Sequence, residues 1–207
     1  MLLDAEECQL ILIDYQTKLM PALHEGPAVL ANALRLAKLA KLMQVPLWAT
    51  EENPASLGPN MPELVNLIEL AHGKTLIKMQ FSAVEEGLGE WLRPSAPISA
   101  PKGNARSLPR HLQKPQANET ALRNTLVIAG CEAHVCLLQT ALDLLEDEFD
   151  VWVVTDACTS RTERNRDAAF DRLAGAGAEL VTTEMVAFEW LRSAEHPAFK
   201  EVLALLK

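Results

Sequence analysis

The stretch "LVIAGCEAHVCLLQTAL" (residues 126–142) decides how the chain folds, because it joins two different hydrophobic patterns. A continuous apolar run, "LVIAG", leads directly into a segment whose apolar residues have helical spacing. Short continuous apolar runs are typical of strands that are buried on both faces of a parallel sheet. The stretch therefore predicts a strand, a tight turn and a helix, with Cys131 in the turn and Cys136 at the start of the helix.

The same alternation continues along the whole chain. Strands are predicted at 8–13, 46–50, 74–78, 125–130, 150–155 and 178–182. Helices are predicted at 27–43, 61–71, 84–92, 134–147, 163–175, 184–193 and 197–206. Apolar strands separated by helices indicate an α/β fold, a doubly wound three-layer sandwich around a six-stranded parallel sheet. The 207 residues suffice for one such domain, so residues 1–207 are predicted to form a single domain.

One segment departs from this alternation. Residues 93–120 hold five of the twelve prolines and show no regular period. Connections inside α/β units usually run to a few residues, so this loop is long for its place. Two interpretations remain: a surface excursion, which we favour, and a lid or an arm that mediates assembly.

Composition and charge limit the classes of partner. The net charge of −9 argues against a nucleic-acid partner and an anionic membrane surface, since basic patches supply most of that affinity. The longest helix-like run is interrupted by Arg35, Lys38 and Lys41, so no membrane-spanning segment is expected. The N-terminus lacks a signal-peptide pattern and the four cysteines lack metal-type spacing. We expect a cytoplasmic protein with reduced thiols and a small-molecule substrate.

Ligands of doubly wound sheets bind beyond the carboxyl ends of the strands, so the residues that follow each strand are the candidates. An acid, a lysine and a cysteine all fall at this edge, and a thiol needs a base or a positive field to become a nucleophile. In strand order the candidates are Asp14, Tyr15 and Gln16; Glu51 and Glu52; Lys78; Cys131 and Cys136; and Asp156, Ser160 and Arg161.

The two cysteines of the quoted stretch are not equivalent. Cys136 lies at the predicted helix start, where unpaired N–H groups and the helix dipole favour a thiolate and could hold an oxyanion. Cys131 lies in the turn and is interpreted as a packing residue. Taken singly, each candidate also has an ordinary structural role: Cys136 in the core, Asp14 as a turn cap and Lys78 as a solvated strand end. The functional interpretation rests on three chemically matched groups at one edge.

Metal and nucleotide chemistry have little support in the sequence. The five histidines are scattered, and none pairs with an acid at ligand spacing. His134 precedes Cys136 by two residues, and residues at that spacing do not face each other on a helix. Neither a GxGxxG nor a Walker A loop occurs. We therefore expect no metal and no other cofactor.

Three motifs, in this order and spacing, resemble the isochorismatase-like cysteine hydrolases over nearly the whole chain. "LILIDYQ" is similar to the opening strand with its aspartate, and "KMQFSA" to the lysine motif K-x-x-F-S-A. "VIAGCEAHVCLLQTALDLL" and "VWVVTDACTSR" are similar to the nucleophile segment and the strand that follows it. Within this family, the chain resembles the branch of uncharacterised isochorismatase-domain hydrolases and not the nicotinamidases. Nicotinamidases carry a D-x-H metal motif at the place where this chain reads "TEENPASLG", a stretch that contains no histidine.

The resemblance implies a catalytic triad and its surroundings. Cys136 would be the nucleophile, Asp14 the base, and Lys78 the cation that stabilises the thiolate. A cis peptide bond at Cys131–Glu132 would aim backbone N–H groups, including that of Cys136, at the oxyanion. The first and fourth strands would lie side by side. The candidate pocket residues are Tyr15, Gln16, Glu52 and Phe81.

The predicted function is a metal-independent cysteine hydrolase that acts on a small amide or related C–N bond through an acyl-enzyme thioester. One alternative is a catalytically weak or inactive module for binding or assembly on the same fold. Another is an isochorismate-type vinyl ether hydrolase, whose chemistry relies on the aspartate rather than the cysteine. The resemblance also implies a homo-oligomer.

Overall fold

The computed structural model describes residues 2–93 and 123–207, which alternate between strands and helices. The strands are β1 (Cys8–Ile13), β2 (Leu47–Glu52), β3 (Lys74–Lys78), β4 (Thr125–Gly130), β5 (Asp150–Val154) and β6 (Glu179–Val181). The helices are α1 (Gly26–Leu42), α2 (Pro54–Leu57), α3 (Pro62–Leu70), α4 (Leu88–Leu92), α5 (Leu138–Glu146), α6 (Glu163–Gly175), α7 (Thr183–Leu191) and α8 (Phe199–Leu206). Within these ranges, no helix combines the length and the apolar character that crossing a membrane requires.

All six strands run parallel in the order β3-β2-β1-β4-β5-β6, which confirms the predicted doubly wound α/β fold. Every residue of β1 and β4 is buried, as their continuous apolar runs predict. The sheet is built outward from β1 in both directions, so the switch point lies between β1 and β4. In such sheets the crevice at the switch point, beyond the strand carboxyl ends, is the usual ligand site.

The close approach of β1 and β4 depends on a glycine at the end of β4. Gly130 pairs with Ile13, the last residue of β1. A Cβ atom at Gly130 would lie 2.6 Å from Ile13 Cβ and 2.8 Å from its carbonyl oxygen. The absent side chain therefore lets the residues that follow the two strands converge over the sheet edge.

The observed boundaries are close to the predicted ones, with one clear exception. Strands β1, β3 and β4 have the predicted bounds, while the predicted helix at 84–92 is shortened to α4. The residues before α4 form a loop, because the Glu86 carboxylate accepts the backbone N–H groups of Met79 and Gln80 at 3.0 and 3.2 Å. The predicted long segment 93–120 lies outside the described residues, apart from Arg93.

Candidate active site at the switch point

Asp14 is the first residue beyond β1 and is completely buried. Its φ of 57° is in the left-handed region, which aspartate tolerates better than most residues. Thr50 of the neighbouring strand donates its hydroxyl to Asp14 Oδ1 at 2.7 Å. The other oxygen, Oδ2, lies 2.9 Å from Lys78 Nζ. The carboxylate is therefore held on one side by β2 and paired with a cation on the other.

Lys78 ends β3 and carries its ammonium group into the buried centre of the site. Lys78 Nζ lies 2.9 Å from Asp14 Oδ2 and 2.8 Å from Glu52 Oε2. It also donates to the carbonyl oxygens of Phe81 at 3.2 Å and Gln80 at 3.4 Å. Burial acts to lower the pKa of Lys78, but Asp14, Cys136 and Glu52 outweigh it and the pKa is raised. The charged form of Lys78 is thus favoured at the centre of the cluster.

Cys136 lies in a π-helical turn, Ala133–Leu137, that leads directly into α5. Its Sγ and single carboxylate oxygens of Asp14 and Glu52 all lie within 4.8 Å of one another. Burial, and next the Asp14 carboxylate, raise the pKa of Cys136, while Lys78 acts in the opposite direction. The expectation that the helix start favours a thiolate is therefore not met in the resting site, where the protonated thiol is the stable form.

The turn before the nucleophile differs from the prediction. No cis peptide bond occurs in residues 2–93 or 123–207, so the cis peptide predicted at Cys131–Glu132 is wrong. The chain reverses through a left-handed Glu132, with φ of 50° and ψ of 64°, followed by the π-helical turn. These two features accomplish the reversal with trans peptide bonds. Turns of the π type are rare and often mark functional sites.

Cys131 is a packing residue, as its position in the turn predicts. Its side chain is completely buried, and Cys131 Sγ lies 3.4 Å from the sulfur of Met20. Burial raises the pKa of the Cys131 thiol well above its ordinary value. Of the two thiols in the quoted stretch, only Cys136 borders the acid–lysine cluster.

A second group of polar residues holds the left-handed turn; Glu132, Ser160 and Arg161 are sequence-based candidates, but the sequence pattern did not predict that they pair around this turn. Glu132 Oε1 lies 2.6 Å from Arg161 Nε, and Glu132 Oε2 lies 3.3 Å from His134 Nδ1. His134 Nδ1 is also 3.0 Å from the hydroxyl of Ser160. The available signal was that "CEAH" and "TSR" follow adjacent parallel strands, β4 and β5, so their side chains meet at one edge.

A pocket of about 250 Å³ opens beside this cluster. Cys136, Asp14 and Glu52 border it together with Glu132 and Arg161. Its remaining lining is apolar and comes from Leu19, Leu57, Phe81 and Val135. Of the four predicted pocket residues, Glu52 and Phe81 therefore line the pocket.

The other two predicted pocket residues, Tyr15 and Gln16, do not line it. Both are completely buried. Tyr15 donates its hydroxyl to the carbonyl of Ala157 at 2.5 Å, and burial raises its pKa. Gln16 donates to the carbonyls of Glu52 and Gly58 at 2.9 and 2.6 Å, and accepts the Glu52 N–H at 2.9 Å. Tyr15 is thereby tied to the segment that follows β5, and Gln16 to the end of β2.

The donor atoms of Asp14, Glu52 and Cys136 are close enough together to suggest metal ligands. However, the Lys78 ammonium already lies between the two carboxylates and would repel a divalent cation there. Among the described residues, no histidine belongs to this group of donors, although histidine is the usual nitrogen ligand of catalytic zinc. The residues fit an internal ion pair better than a metal, and the absence of a metal stays a prediction.

Comparison with known proteins agrees with this architecture. Residues 111–185 match the family model described as "Isochorismatase domain". Isochorismatase domain-containing protein 2A of Mus musculus is 34% identical over 203 residues, which cover 98% of this chain and 84% of that protein. The chain belongs to the isochorismatase-like hydrolase family. The corresponding Homo sapiens protein, isochorismatase domain-containing protein 2, is 34% identical over 96% of this chain and 82% of its own length.

Two solved structures of similar proteins share the fold over nearly their whole length. The MAR1 ribonuclease of Caenorhabditis elegans has a TM-score of 0.82 at 28% identity, covering 100% of this chain and 92% of that one. The YcaC protein of Escherichia coli, described as an octameric hydrolase of unknown specificity, has a TM-score of 0.76 at 26% identity. That match covers 99% of this chain and 87% of YcaC. Isochorismatase-family proteins are generally hydrolases, which gives the reaction class but no substrate.

Proposed function

We propose that this protein is a metal-independent cysteine hydrolase of small amides or related C–N bonds. One observation carries the proposal: a thiol, a carboxylate and an ammonium group, from Cys136, Asp14 and Lys78, meet in one buried cluster beside a pocket. A base next to the sulfur and a cation next to the base are what an activated thiol nucleophile requires.

The first step is a proton transfer from the Cys136 thiol to Asp14. The raised pKa of Cys136 means that the resting thiol keeps its proton until the substrate is bound. Transfer converts a carboxylate and a thiol into a carboxylic acid and a thiolate, so the net charge of the cluster is unchanged. Lys78 borders both groups and stabilises the negative charge at either position. The transfer therefore moves charge a short distance without changing how much charge is buried.

The thiolate then attacks the carbonyl carbon of the substrate, and a C–S bond forms as the carbonyl oxygen becomes an oxyanion. Backbone N–H groups of the nucleophile turn, including that of Cys136, stabilise this oxyanion. The C–N bond breaks, and Asp14 returns its proton to the leaving nitrogen. Water next attacks the thioester while Asp14 accepts a proton from it. The C–S bond breaks, Asp14 returns this proton to the sulfur, and the thiol is regenerated as the acid product leaves.

The pocket supports a small substrate with an apolar body. Its volume of about 250 Å³ suits a small molecule, and its four apolar residues are suited to an aliphatic or aromatic group. The carboxylates beside it are each paired, Asp14 and Glu52 with Lys78 and Glu132 with Arg161. The MAR1 protein is described as a ribonuclease, but a net charge of −9 offers little attraction for RNA phosphates.

The proposal extends to assembly and compartment. YcaC is described as octameric, and this supports a homo-oligomer for the present chain. All four cysteines are free and buried, in keeping with a reducing compartment such as the cytoplasm.

One competing function has a specific observation in its favour. A raised pKa is also the property of an inert buried cysteine, so an inactive module for binding or assembly would show the same resting thiol. A vinyl ether hydrolase would keep Asp14 essential and leave Cys136 dispensable.

An activity screen separates these functions. Wild type, Cys136→Ala and Cys131→Ala are assayed on small amides, hydantoin-derived ureides and nicotinamide-like compounds. The proposal predicts turnover in wild type and Cys131→Ala, and none in Cys136→Ala. Turnover that survives in Cys136→Ala would exclude the cysteine mechanism.

A further inference from the structure

The loop that follows Lys78 is fastened to the helix that follows Cys136. Ser82 donates its hydroxyl to Asp143 Oδ2, and the backbone N–H of Ala83 donates to Thr140 Oγ1 at 3.0 Å. Ser82, Ala83 and Thr140 are buried, and Thr140 and Asp143 belong to α5. We call Ser82, Thr140 and Asp143, together with the Ala83 N–H, the loop–helix clasp.

We propose that the loop–helix clasp sets the position of the Lys78 ammonium relative to the Cys136 sulfur. Ser82, Thr140 and Asp143 would then be positioning residues of the site. This inference rests on the proposed function, because it assigns to the clasp the alignment that a thiol–carboxylate–ammonium cluster needs.

The sheet alone does not fix this alignment. Lys78 ends β3 and Cys136 follows β4, and the strands β2 and β1 lie between them. At a strand spacing of about 4.8 Å, the ends of β3 and β4 are about 14 Å apart. The lysine side chain must therefore extend over β2 toward Asp14, and its final position depends on contacts beyond the strands.

Those contacts come partly from the loop itself. The carbonyl oxygens of Gln80 and Phe81 accept hydrogen bonds from Lys78 Nζ at 3.4 and 3.2 Å. The apolar side chains of this loop do little to hold it, because Met79 is 62% exposed and Phe81 is 51% exposed. A segment with few buried apolar contacts relies on its polar ties to keep its position. The clasp provides such ties directly after Phe81.

The other half of the clasp lies on α5, the helix that follows the nucleophile. Thr140 and Asp143 are three residues apart in α5, a spacing that places side chains on one helix face, and Cys136 lies in the π-helical turn that leads directly into α5. The lysine loop is thus held by the helix that begins directly after the turn carrying the sulfur. A shift of the loop along α5 would change the distance between the ammonium and the sulfur directly.

The expected consequence falls on the chemical step rather than on binding. Lys78 opposes the burial and the Asp14 charge that raise the pKa of Cys136, so a displaced ammonium makes the thiolate scarcer. Three of the four apolar pocket residues, Leu19, Leu57 and Val135, lie outside the lysine loop and would still bind the substrate body, while Phe81 lies in this loop directly before Ser82. Loss of the clasp should therefore lower kcat by a larger factor than it raises KM.

The test compares Ser82→Ala and Thr140→Val with two controls. Thr140→Ser retains the hydroxyl acceptor, and Thr155→Val removes a hydroxyl that donates to the Val181 carbonyl at 3.0 Å, away from the lysine loop. Site-resolved alkylation of Cys136 by iodoacetamide is measured from pH 7 to 10 by mass spectrometry, as are kcat and KM. Thermal unfolding shows which variants remain folded. If Thr140→Val does not fold, the comparison with the controls is made with Ser82→Ala alone.

We expect Ser82→Ala and Thr140→Val to alkylate about tenfold more slowly, the effect of roughly one unit in the pKa of the thiol, with a similar fall in kcat. Thr140→Ser and Thr155→Val should stay close to wild type. Clasp variants that match Thr155→Val in alkylation and in kcat would overturn the inference. Fast alkylation of wild-type Cys136 with no amide turnover would refute the proposed function alone. A fall in kcat in the clasp variants with unchanged alkylation of Cys136 would overturn the inference and leave the proposed function standing.

Discussion

The ammonium of Lys78 lies 2.9 Å from a carboxylate oxygen of Asp14, and both side chains are almost completely buried. A buried ion pair gains little over well-packed apolar residues, yet removing one partner leaves an uncompensated charge. Such a pair at the switch point of the sheet therefore adds little to stability, and its position favours a role in chemistry. This pair is the core of the chemistry proposed for the protein.

Replacing Lys78 with methionine should damage both folding and activity. The variant leaves the carboxylates of Asp14 and Glu52 buried without a cation, and we expect a loss of about 3 kcal/mol or more in the free energy of unfolding. Urea unfolding and turnover measure the two effects. Lys74→Met is the matched control on the same strand, since Lys74 is exposed and its ammonium lies near the rings of Trp48 and Trp91. Equal stability of the two variants would contradict the role of the ion pair.

Replacing Asp14 with asparagine should separate turnover from thiol reactivity. Asparagine also tolerates the left-handed backbone, so the φ of 57° at this position remains accessible. Loss of the base should reduce turnover by a factor of about 10² to 10⁴. The same change removes a charge that raises the pKa of Cys136, so alkylation of this thiol near pH 8 should become faster. A variant that alkylates more slowly than wild type would show that Asp14 does not oppose the thiolate.

Stability should fall in alkaline solution because buried acids are held in their protonated forms. Burial raises the pKa of Cys8 to about 11 and that of Cys158 to about 12. Above the ordinary thiol pKa near 9 the unfolded chain binds fewer protons than the folded one, so the free energy of unfolding decreases as pH rises. Urea unfolding between pH 8 and 11, in the presence of a reductant, measures this slope. Cys8→Ala should reduce this slope. A free energy of unfolding that does not change across that pH range would show that the pKa values of the buried thiols are not raised.

Substituting Gly130 with alanine tests whether the approach of β1 and β4 builds the site. The new Cβ would overlap Ile13, and we expect a loss of about 1 to 3 kcal/mol in stability together with a fall in turnover. Gly175→Ala is the matched control, because a Cβ at Gly175 meets no atom within 4 Å. If Gly130→Ala behaved like Gly175→Ala in urea unfolding and turnover, the close approach of β1 and β4 at Gly130 would not be needed to build the site.

The fold could be predicted from the sequence because the continuous apolar runs of the sequence coincide with the buried strands of the sheet. Strands β1 and β4 are apolar apart from Gln9 and Thr125, all their residues are buried, and their predicted bounds are the observed ones. Placing Asp14, Lys78 and Cys136 at one edge needed only the rule that parallel strands end together. Their triad roles came from the family resemblance and stay predictions.

The details of the turn could not be predicted, because tertiary contacts decide them. Glu132 is left-handed where Arg161 and His134 hold its carboxylate, and neither contact is visible in the local sequence. Tyr15 follows Asp14 directly, but it is completely buried and donates its hydroxyl to the carbonyl of Ala157, a contact between residues far apart in the sequence. The shift in the pKa of Cys136 likewise depends on how deeply the folded chain buries the sulfur.

The most direct test of the central claim is to trap the acyl-enzyme. Wild type, Cys131→Ala and Cys136→Ala are mixed with an activated small acyl donor, quenched in acid and digested, and the acylated residue is identified by mass spectrometry. The proposed cysteine mechanism predicts a thioester on Cys136 in wild type and Cys131→Ala, and no adduct in Cys136→Ala. An adduct on Cys131 or Cys158, or hydrolysis by Cys136→Ala at the wild-type rate, would contradict it.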